Sequence, residues 1–315
     1  MNWISPLRLR KLGILGMNRR NVEFISPYNQ RRHFPLVDDK LLTKKLAEEH
    51  GIAVPKLIDV VETQYGIQSI GEKLDKLTAF VAKPANGSGG KGILVIKDRV
   101  EGRFLKASGA LITLEDVQRH LTNTISGLHS LGGRPDVAFL EELVTVDERF
   151  TRISFEGVPD IRLIVFKGVP VMGMLRLATK SSDGKANLHQ GAIGVGLDIG
   201  TGAAVRAVQR EKLVLQHPDT GALLNEIQIP EWDNLLALAA ECYDATHLGY
   251  LGCDIVLDQT HGPLILELNA RSGLSIQIAN NRGMLPRLRH LRAVNTRKMS
   301  VSDRVAYAKE EIAAL

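Results

Sequence analysis

Cysteine is scarce in this chain of 315 residues, which has only Cys242 and Cys253. Two thiols so placed give neither a disulfide framework nor the paired spacing of a zinc site, and they favour a reducing compartment. Aromatic residues are only 5% of the chain, and no recognisable nucleic-acid module accompanies its basic residues, so nucleic acid is not an expected partner. No apolar run approaches the roughly 18 residues that span a bilayer. The N-terminal stretch Met1-Asn-Trp-Ile-Ser-Pro-Leu-Arg-Leu-Arg-Lys11 lacks the continuous apolar core of a secretory signal. A cytoplasmic protein is expected. Acid is missing at both ends. Residues 1–34 hold Arg8, Arg10, Lys11, Arg19, Arg20, Arg31 and Arg32 against Glu23 alone. From Leu268 to Ser302 there is none, while Arg271, Arg282, Arg287, Arg289, Arg292, Arg297 and Lys298 accumulate. A net charge of +5 so distributed suits an acidic partner: a glutamyl peptide, an anionic envelope polymer, or the inner membrane surface on which the protein would sit peripherally. Simple solvation of the basic runs is the competing reading.

What the chain does contain is ordinary for a globular enzyme: 44% hydrophobic and 24% charged residues, in a length exceeding one typical domain. Asp38-Asp39-Lys40 caps a predicted helix to about His50, with Gly51 as its stop. A second helix is expected over Ile67–Leu74, a third from the Thr113-Leu-Glu-Asp116 cap to Leu131, and the clearest over Glu231–His247, where Trp232, Leu235, Leu236, Leu238, Ala239 and Cys242 make an apolar stripe. Ala138–Val144 reads as a strand. Asp160–Phe166 and Val169–Ala178 read as a hairpin turning at Lys167-Gly168. Residues 179–204, rich in Gly, Ser, Asp and Ala, read as a functional loop or lid, and Ser302–Leu315 as a last helix. Hairpins interspersed with helices argue an α+β fold.

Gly252-Cys-Asp-Ile-Val-Leu257 and Leu264-Ile-Leu-Glu-Leu-Asn-Ala270 are two apolar strands joined at His261-Gly-Pro263. Alternate strand residues share a face, so Glu267 and Asn269 project together while Leu266 and Leu268 turn to the other side. With Asp254 they offer two carboxylates and an amide oxygen. Such a set suits Mg²⁺, which takes one or two carboxylates plus substrate phosphates. A solvated hairpin face is the alternative.

A second element bears on that choice. Thr78–Ala82 reads as a strand, Ile93–Ile96 as its return, and between them lies Lys83-Pro-Ala-Asn-Gly-Ser-Gly-Gly-Lys-Gly92. Glycines let backbone N–H groups close on a phosphate. A strand follows this loop, so it matches neither the Walker pattern nor the dinucleotide fingerprint, each of which opens a helix. A glycine-rich hairpin over a nucleotide is the mechanical analogue; a flexible hairpin is the other reading. Lys83 ends an apolar strand, where a phosphate would give it a partner.

Asp39-Lys40, the Lys83-Pro glycine loop, Glu141-Glu-Leu-Val144, Asp160-Ile-Arg162, Asn187-Leu-His189 and Asp254…Glu267-Leu-Asn269 follow in that order. In this the chain resembles an ATP-grasp ligase over roughly Pro35 to Asn281. It is similar to the ribosomal-protein glutamate ligase branch, the alpha-L-glutamate ligase-related proteins and the sugar-transfer-associated ATP-grasp proteins. The resemblance implies two α/β lobes sandwiching ATP, residues 35–141 and 142–290, after a reduced basic N-terminal segment (1–34) and before a C-terminal helix or tail (291–315). It also implies ATP and Mg²⁺, two ions with Mn²⁺ as a substitute, held by Asp254, Glu267 and Asn269. Lys40 and Lys83 would contact the phosphates, with Gly87, Ser88, Gly89, Gly90, Lys91 and Gly92 covering them. Adenine would lie along Glu141, Glu142, Leu143 and Val144, and Glu142, Asp147 or Glu148 would reach the ribose. Arg162, Arg176, Asn187 and Arg271 would serve the reacting groups, Arg271 holding a carboxylate. Ser272 departs from the proline expected after that arginine.

The chemistry so implied is ATP-dependent carboxylate–amine ligation through an acyl phosphate, adding glutamate or another amino acid to an acidic acceptor. The substrates would be small molecules or peptides, with a protein partner able to supply the surface that the reduced N-terminal segment lacks. A kinase that stops at phosphoryl transfer and a non-catalytic nucleotide-binding module of an envelope or glycosylation system are the alternatives.

Overall fold

A computed structural model describes residues 5–87, 89–130 and 132–315. The chain divides into two compact units. The smaller comprises Asp38–Leu46 and Val54–Val144; the larger takes the N-terminal residues through Val37, Ala47–Ala53 and Thr145–Leu315. Each is built on its own antiparallel sheet.

In the smaller unit the strands are β1 (Leu57–Val61), β2 (Phe80–Pro84), β3 (Leu94–Val100), β4 (Arg103–Lys106), β5 (Leu111–Ile112) and β6 (Ala138–Glu141), in the order β1-β6-β2-β3-β4-β5. The last strand in sequence is thus inserted between β1 and β2. Its four residues are all buried, and Glu141 faces Leu57 on one side and Val81 on the other. The expected strand to Val144 stops at Glu141, where its pairing with both neighbours ends. Helix Leu114–Ile125 opens with the capping box that the sequence predicts, Thr113 and Asp116 exchanging side-chain-to-backbone bonds. It lays Val117 and Leu121 into a core with Phe80, Ile96, Phe104 and Leu140. Full burial of a leucine such as Leu121 contributes roughly 1.5–3 kcal/mol. The helix ends short of the expected Leu131, which lies outside the described residues. Gly127 turns left-handed at φ +88°, and a Cβ there would meet the Arg134 carbonyl oxygen at 2.3 Å. Helix Lys40–Glu49 starts where its cap predicts: Asp39 Oδ1 accepts from the backbone N–H of Leu41 and of Leu42, each at 2.9 Å.

The larger unit carries β7 (Asp160–Phe166), β8 (Val169–Leu177), β9 (Ile193–Leu197), β10 (Ala204–Gln209), β11 (Lys212–Leu213), β12 (Tyr250–Asp258) and β13 (Gly262–Asn269), in the order β11-β10-β9-β8-β7-β12-β13. Lys167 and Gly168 form the predicted two-residue turn, both with positive φ (53° and 81°), as the twist of the flanking strands requires. Helix Trp232–Thr246 buries Leu235, Leu236, Ala239 and Cys242 and packs on β7, β8, β12 and β13.

One further expectation is corrected. Residues 179–204 are not a continuous loop: after two short 3-10 turns they form β9, buried at all five positions. Glycines at 194 and 196 hid its alternation, and both are needed for packing. A Cβ on Gly194 would lie 2.8 Å from Leu188, and one on Gly196 would lie 2.5 Å from the Ala279 carbonyl oxygen. The described part of the basic N-terminal stretch is folded onto the larger unit, with Leu15 and Phe24 buried and Asn29 bonded to the backbone of Tyr250 in both directions. The expected last helix is present as Val301–Tyr307, passing into a π-helical turn over Ala308–Ile312.

Candidate active site

The glycine loop leaves β2 at Pro84, and in the smaller unit Asp136, Lys40, His120 and His129 pack against it. Asp136, nearly buried, accepts from the Asn86 backbone N–H and amide, from Ser130 Oγ and from its neighbour Val137. Lys40 Nζ donates to the Gly87 carbonyl at 2.7 Å. Behind the loop, His120 Nε2 lies 3.0 Å from the Gly92 carbonyl oxygen, and the ring of His129 occupies the space that a side chain on Gly92 would need. Gly89 and Gly90 stand in open space at φ +63° and +75°, successive left-handed residues that glycine adopts without strain. Ser88 lies outside the described residues, and Lys91 is exposed.

Lys83 is not waiting for a phosphate as its first partner. β2 and β6 run side by side, so Lys83 meets the carboxylate of Glu141 directly, and Lys44 closes on the other oxygen at 2.9 Å. Burial pushes the Glu141 carboxyl up, and Lys83 and Lys44 outweigh it, leaving it below its ordinary value. Lys44 also donates to the Pro55 carbonyl. It escaped the sequence reading, although it stands one helical turn after Lys40 and so shares its face. Lys40, Lys44 and Lys83 against Glu141 give a cluster with excess positive charge. The Glu141 side chain is committed to this cluster. Glu142, Leu143 and Val144 continue beyond β6, Glu142 N–H bonding to the Lys56 carbonyl at 2.9 Å.

In the larger unit the sheet aligns a row of charges. Arg162 on β7 is the register partner of Asp254 on β12, and Asp254 is the partner of Glu267 on β13. Asn269 projects on the same side, its Nδ2 3.5 Å from Asp254 Oδ2. Arg162 grips Asp254 through two bonds, Nε to Oδ1 at 2.7 Å and Nη2 to Oδ2 at 2.6 Å. Arg176 on β8 adds Nη2 at 2.9 Å and also pairs with Asp160, its own cross-strand partner. Asp160 was quoted in the sequence only as the start of a motif. Burial drives the Asp254 carboxyl up, but Arg176 and Arg162 outweigh it and hold it below the ordinary carboxylate range. Asp160 moves the other way: burial and the nearby Asp254 charge raise it despite Arg176. Burial disfavours the charged Arg176, yet Asp160 and Asp254 keep its affinity for the proton above normal.

The donor set fits Mg²⁺ in part. Among the described residues no three His, Cys, Asp or Glu side chains gather as metal ligands. Two carboxylates and an amide oxygen are what a magnesium ion completed by substrate phosphates takes from a protein. Asp254 accepts three arginine bonds, leaving one of about four acceptor positions, on Oδ1. With its Nδ2 turned to Asp254, Asn269 has its amide oxygen directed elsewhere. Two guanidiniums, Arg162 and Arg176, are shared between the carboxylates of Asp254 and Asp160.

The other predicted residues lie outside this row. Asn187 Oδ1 accepts from the His189 backbone N–H at 3.0 Å, capping a short turn. Arg271, exposed after β13, stacks over the ring of Phe34. Asp147 is engaged by Arg149 at the start of a short helix. One residue that the sequence did not flag is Arg20: buried, it donates to the Ser272 carbonyl at 2.5 Å and to that of Arg271 at 3.3 Å. It thereby ties the N-terminal stretch to the loop leaving β13. Nothing in its local sequence marks it out. The Ser272 hydroxyl is buried with no hydrogen-bond partner among the described residues and sits where any side chain on Gly252 would go.

With this geometry in place, comparison with known proteins is informative. The sequence profile of the family described as Sugar-transfer associated ATP-grasp matches residues 19–293, and the chain belongs to that family. No curated protein sequence matches it. It is similar to the solved ATP-grasp ligase PsnB complexed with minimal precursor (14% identity, TM-score 0.46, covering 84% of this chain and 62% of that one). It is similar also to D-cycloserine synthetase DcsG (16%, 0.43, 87% and 70%) and to the D-alanine–D-alanine ligase of Bacillus anthracis complexed with ATP (13%, 0.42, 89% and 66%). The chain spans about three fifths of the length of the PsnB chain. Among the described residues no helix is long and apolar enough to cross a membrane.

Proposed function

We propose that the protein is an ATP-dependent carboxylate–amine ligase that forms ADP. Family membership supports nucleotide use, and the reading is carried by one observation: the register that aligns Arg162, Asp254 and Glu267 across three strands, with Asn269 beside them. A carboxylate resists amines because it is anionic and its oxygen leaves poorly. Phosphoryl transfer to it creates an acyl phosphate. The amine lone pair then forms the C–N bond as the C–O bond to phosphate breaks, phosphate departs with the electron pair, and the ammonium proton passes to solvent. Such transfer needs positioning and charge neutralisation above all. Lys40 and Lys83, backed by Lys44, are assigned to the phosphates, and the backbone N–H groups of Gly89, Gly90 and Gly92 to their cover. The extended residues Glu141–Val144 are assigned to adenine through their backbone groups.

Glu267 and Asn269 are assigned as ligands of Mg²⁺, with Asp254 contributing its remaining Oδ1 position. Bound Mg²⁺ would neutralise phosphate charge. Arg162 and Arg176 fix Asp254 and place guanidinium N–H groups beside it, where they suit a carboxylate or phosphate fork. Arg271 is assigned to a substrate carboxylate and Asn187 to holding its loop. The test is ADP and phosphate release from ATP across matched pools of carboxylates and amines. Release that needs one member of each pool is expected. Release that needs no amine and leaves a stable phosphorylated product would make the protein a kinase; no release with any pair would favour a binding module.

A further inference from the structure

A cavity of about 300 Å³ lies within the larger unit, a volume at the small end of ligand sites. Leu188, Val208 and Ile278 are its apolar lining, and His189, Arg210, Glu211 and Ser275 its polar lining. Arg210 also borders a neighbouring cavity of about 250 Å³ beside Gln209 and Asp219.

Arg210 and Glu211 are the two residues of the turn joining β10 to β11, with φ of 48° and 65°. Asn and Gly fill such turns without strain. Here the positions carry a guanidinium and a carboxylate side by side, and among the described residues neither side chain has an ion pair or hydrogen bond. The guanidinium reaches back over Gly191, where a Cβ would lie 3.5 Å from Nη2. The Gly191 carbonyl does not hold it there, being taken by Thr179 Oγ1 and the Gln209 amide. The cavity is tied to the ionic row by direct packing. Leu188 rests on Gly194, and Gly194 is the register partner of Arg176. Helix Ile276–Asn280, which contributes Ile278 to the lining, follows closely after Asn269 and presses Ala279 onto Gly196, leaving Ile278 exposed.

We propose that this cavity binds a free α-amino acid with an apolar side chain as the amine substrate, an assignment that rests on the ligase reading. Arg210 takes the carboxylate, Glu211 the ammonium, and Leu188, Val208 and Ile278 the side chain. Adjacent opposite charges and apolar side chains lining one cavity complement a zwitterion that carries a hydrocarbon group.

The full chain, without nucleotide, is titrated calorimetrically with L-leucine, with leucinamide (no carboxylate) and with N-acetyl-leucine (no ammonium). Saturable leucine binding is expected, with each derivative weaker by about tenfold or more, the scale of one lost charge-assisted bond. Arg210→Ala should weaken leucine by a similar factor, and Ile278→Trp, which fills the cavity from an exposed position, should remove binding. No saturable binding, equal affinity for leucine and leucinamide, or affinities unchanged in both variants overturns the proposal. ADP release separates the two claims. If amino acids stimulate release but their KM is the same in both variants, the ligase reading stands and the site is wrong. If no amino acid stimulates release while the variants still lose leucine, the site stands without the ligase reading.

Discussion

Asp254 and Glu267 face each other directly across β12 and β13, yet their surroundings differ sharply. Asp254 is buried between two guanidiniums, whereas Glu267 is only half-buried. Asp254 is fixed by the fold, whereas Glu267 keeps part of its surface in solvent.

Asp254→Asn should therefore be a stability mutation. It leaves Arg162 and Arg176, both largely buried, with Asp160 alone of the carboxylates that pair with them among the described residues. Breaking a buried pair by removing one partner costs about 3–5 kcal/mol. Urea unfolding of the variant and parent should differ on that scale; a difference under about 0.5 kcal/mol, the scatter of surface substitutions, would show that the row is not an electrostatic anchor.

Glu141 should make stability depend on acidity. Its folded-state pKa is depressed below the unfolded 4.5 by Lys83 and Lys44 acting against burial. The unfolded state thus binds the proton more readily. The stabilisation is present above pH 4.5 and is lost as pH falls through the lower folded value. Thermal unfolding followed downward from pH 5.5 should decline more steeply in the parent than in Glu141→Gln. Parallel profiles would mean that the lysines do not stabilise the charged carboxyl.

Lys83→Ala removes one cation from the cluster, while Lys44 continues to neutralise Glu141. Nucleotide affinity should fall on the order of tenfold or more, as for loss of a charged hydrogen bond, with the melting temperature in the absence of nucleotide changing less than in Asp254→Asn. Equal affinities for ATP in variant and parent, by fluorescence titration, would remove Lys83 from the phosphate site.

Arg20→Ala breaks the tie between the N-terminal stretch and the loop leaving β13. Loss of a buried charged donor costs about 2 kcal/mol. The loop carries Arg271, so turnover should fall while the Kd for ATP stays unchanged. A variant with parental turnover would make Arg20 a purely structural residue, and a weakened Kd for ATP would place its influence elsewhere.

Local pattern was legible where period and caps decide the structure. Strand alternation put Glu267 and Asn269 on one face, Asp39 marked its helix start, and Lys167-Gly168 marked its turn. Partnerships set by register between distant strands were not. Lys83 and Arg176 each stood out as a cation on a strand, and phosphate or substrate was the partner that composition suggested. Their actual neighbours, Glu141 and Asp160, follow from β2 lying beside β6 and β7 beside β8 in particular registers. β9 was hidden because its alternate residues are glycines, which have no hydropathy signal, and their value lies in what packs against them. Arg20 was hidden for a related reason: its partners are backbone carbonyls far along the chain.

The ligase reading meets its most direct test in trapping with hydroxylamine, an amine nucleophile that captures acyl phosphates as hydroxamates. Incubated with ATP, Mg²⁺ and a carboxylate pool, the parent should yield hydroxamate and ADP in equal amounts. Glu267→Gln, folded to the same melting temperature, should yield at least roughly 10²-fold less, the scale of losing one electrostatic stabiliser. AMP in place of ADP, ADP with no hydroxamate from any carboxylate, or an undiminished yield from Glu267→Gln would contradict the account.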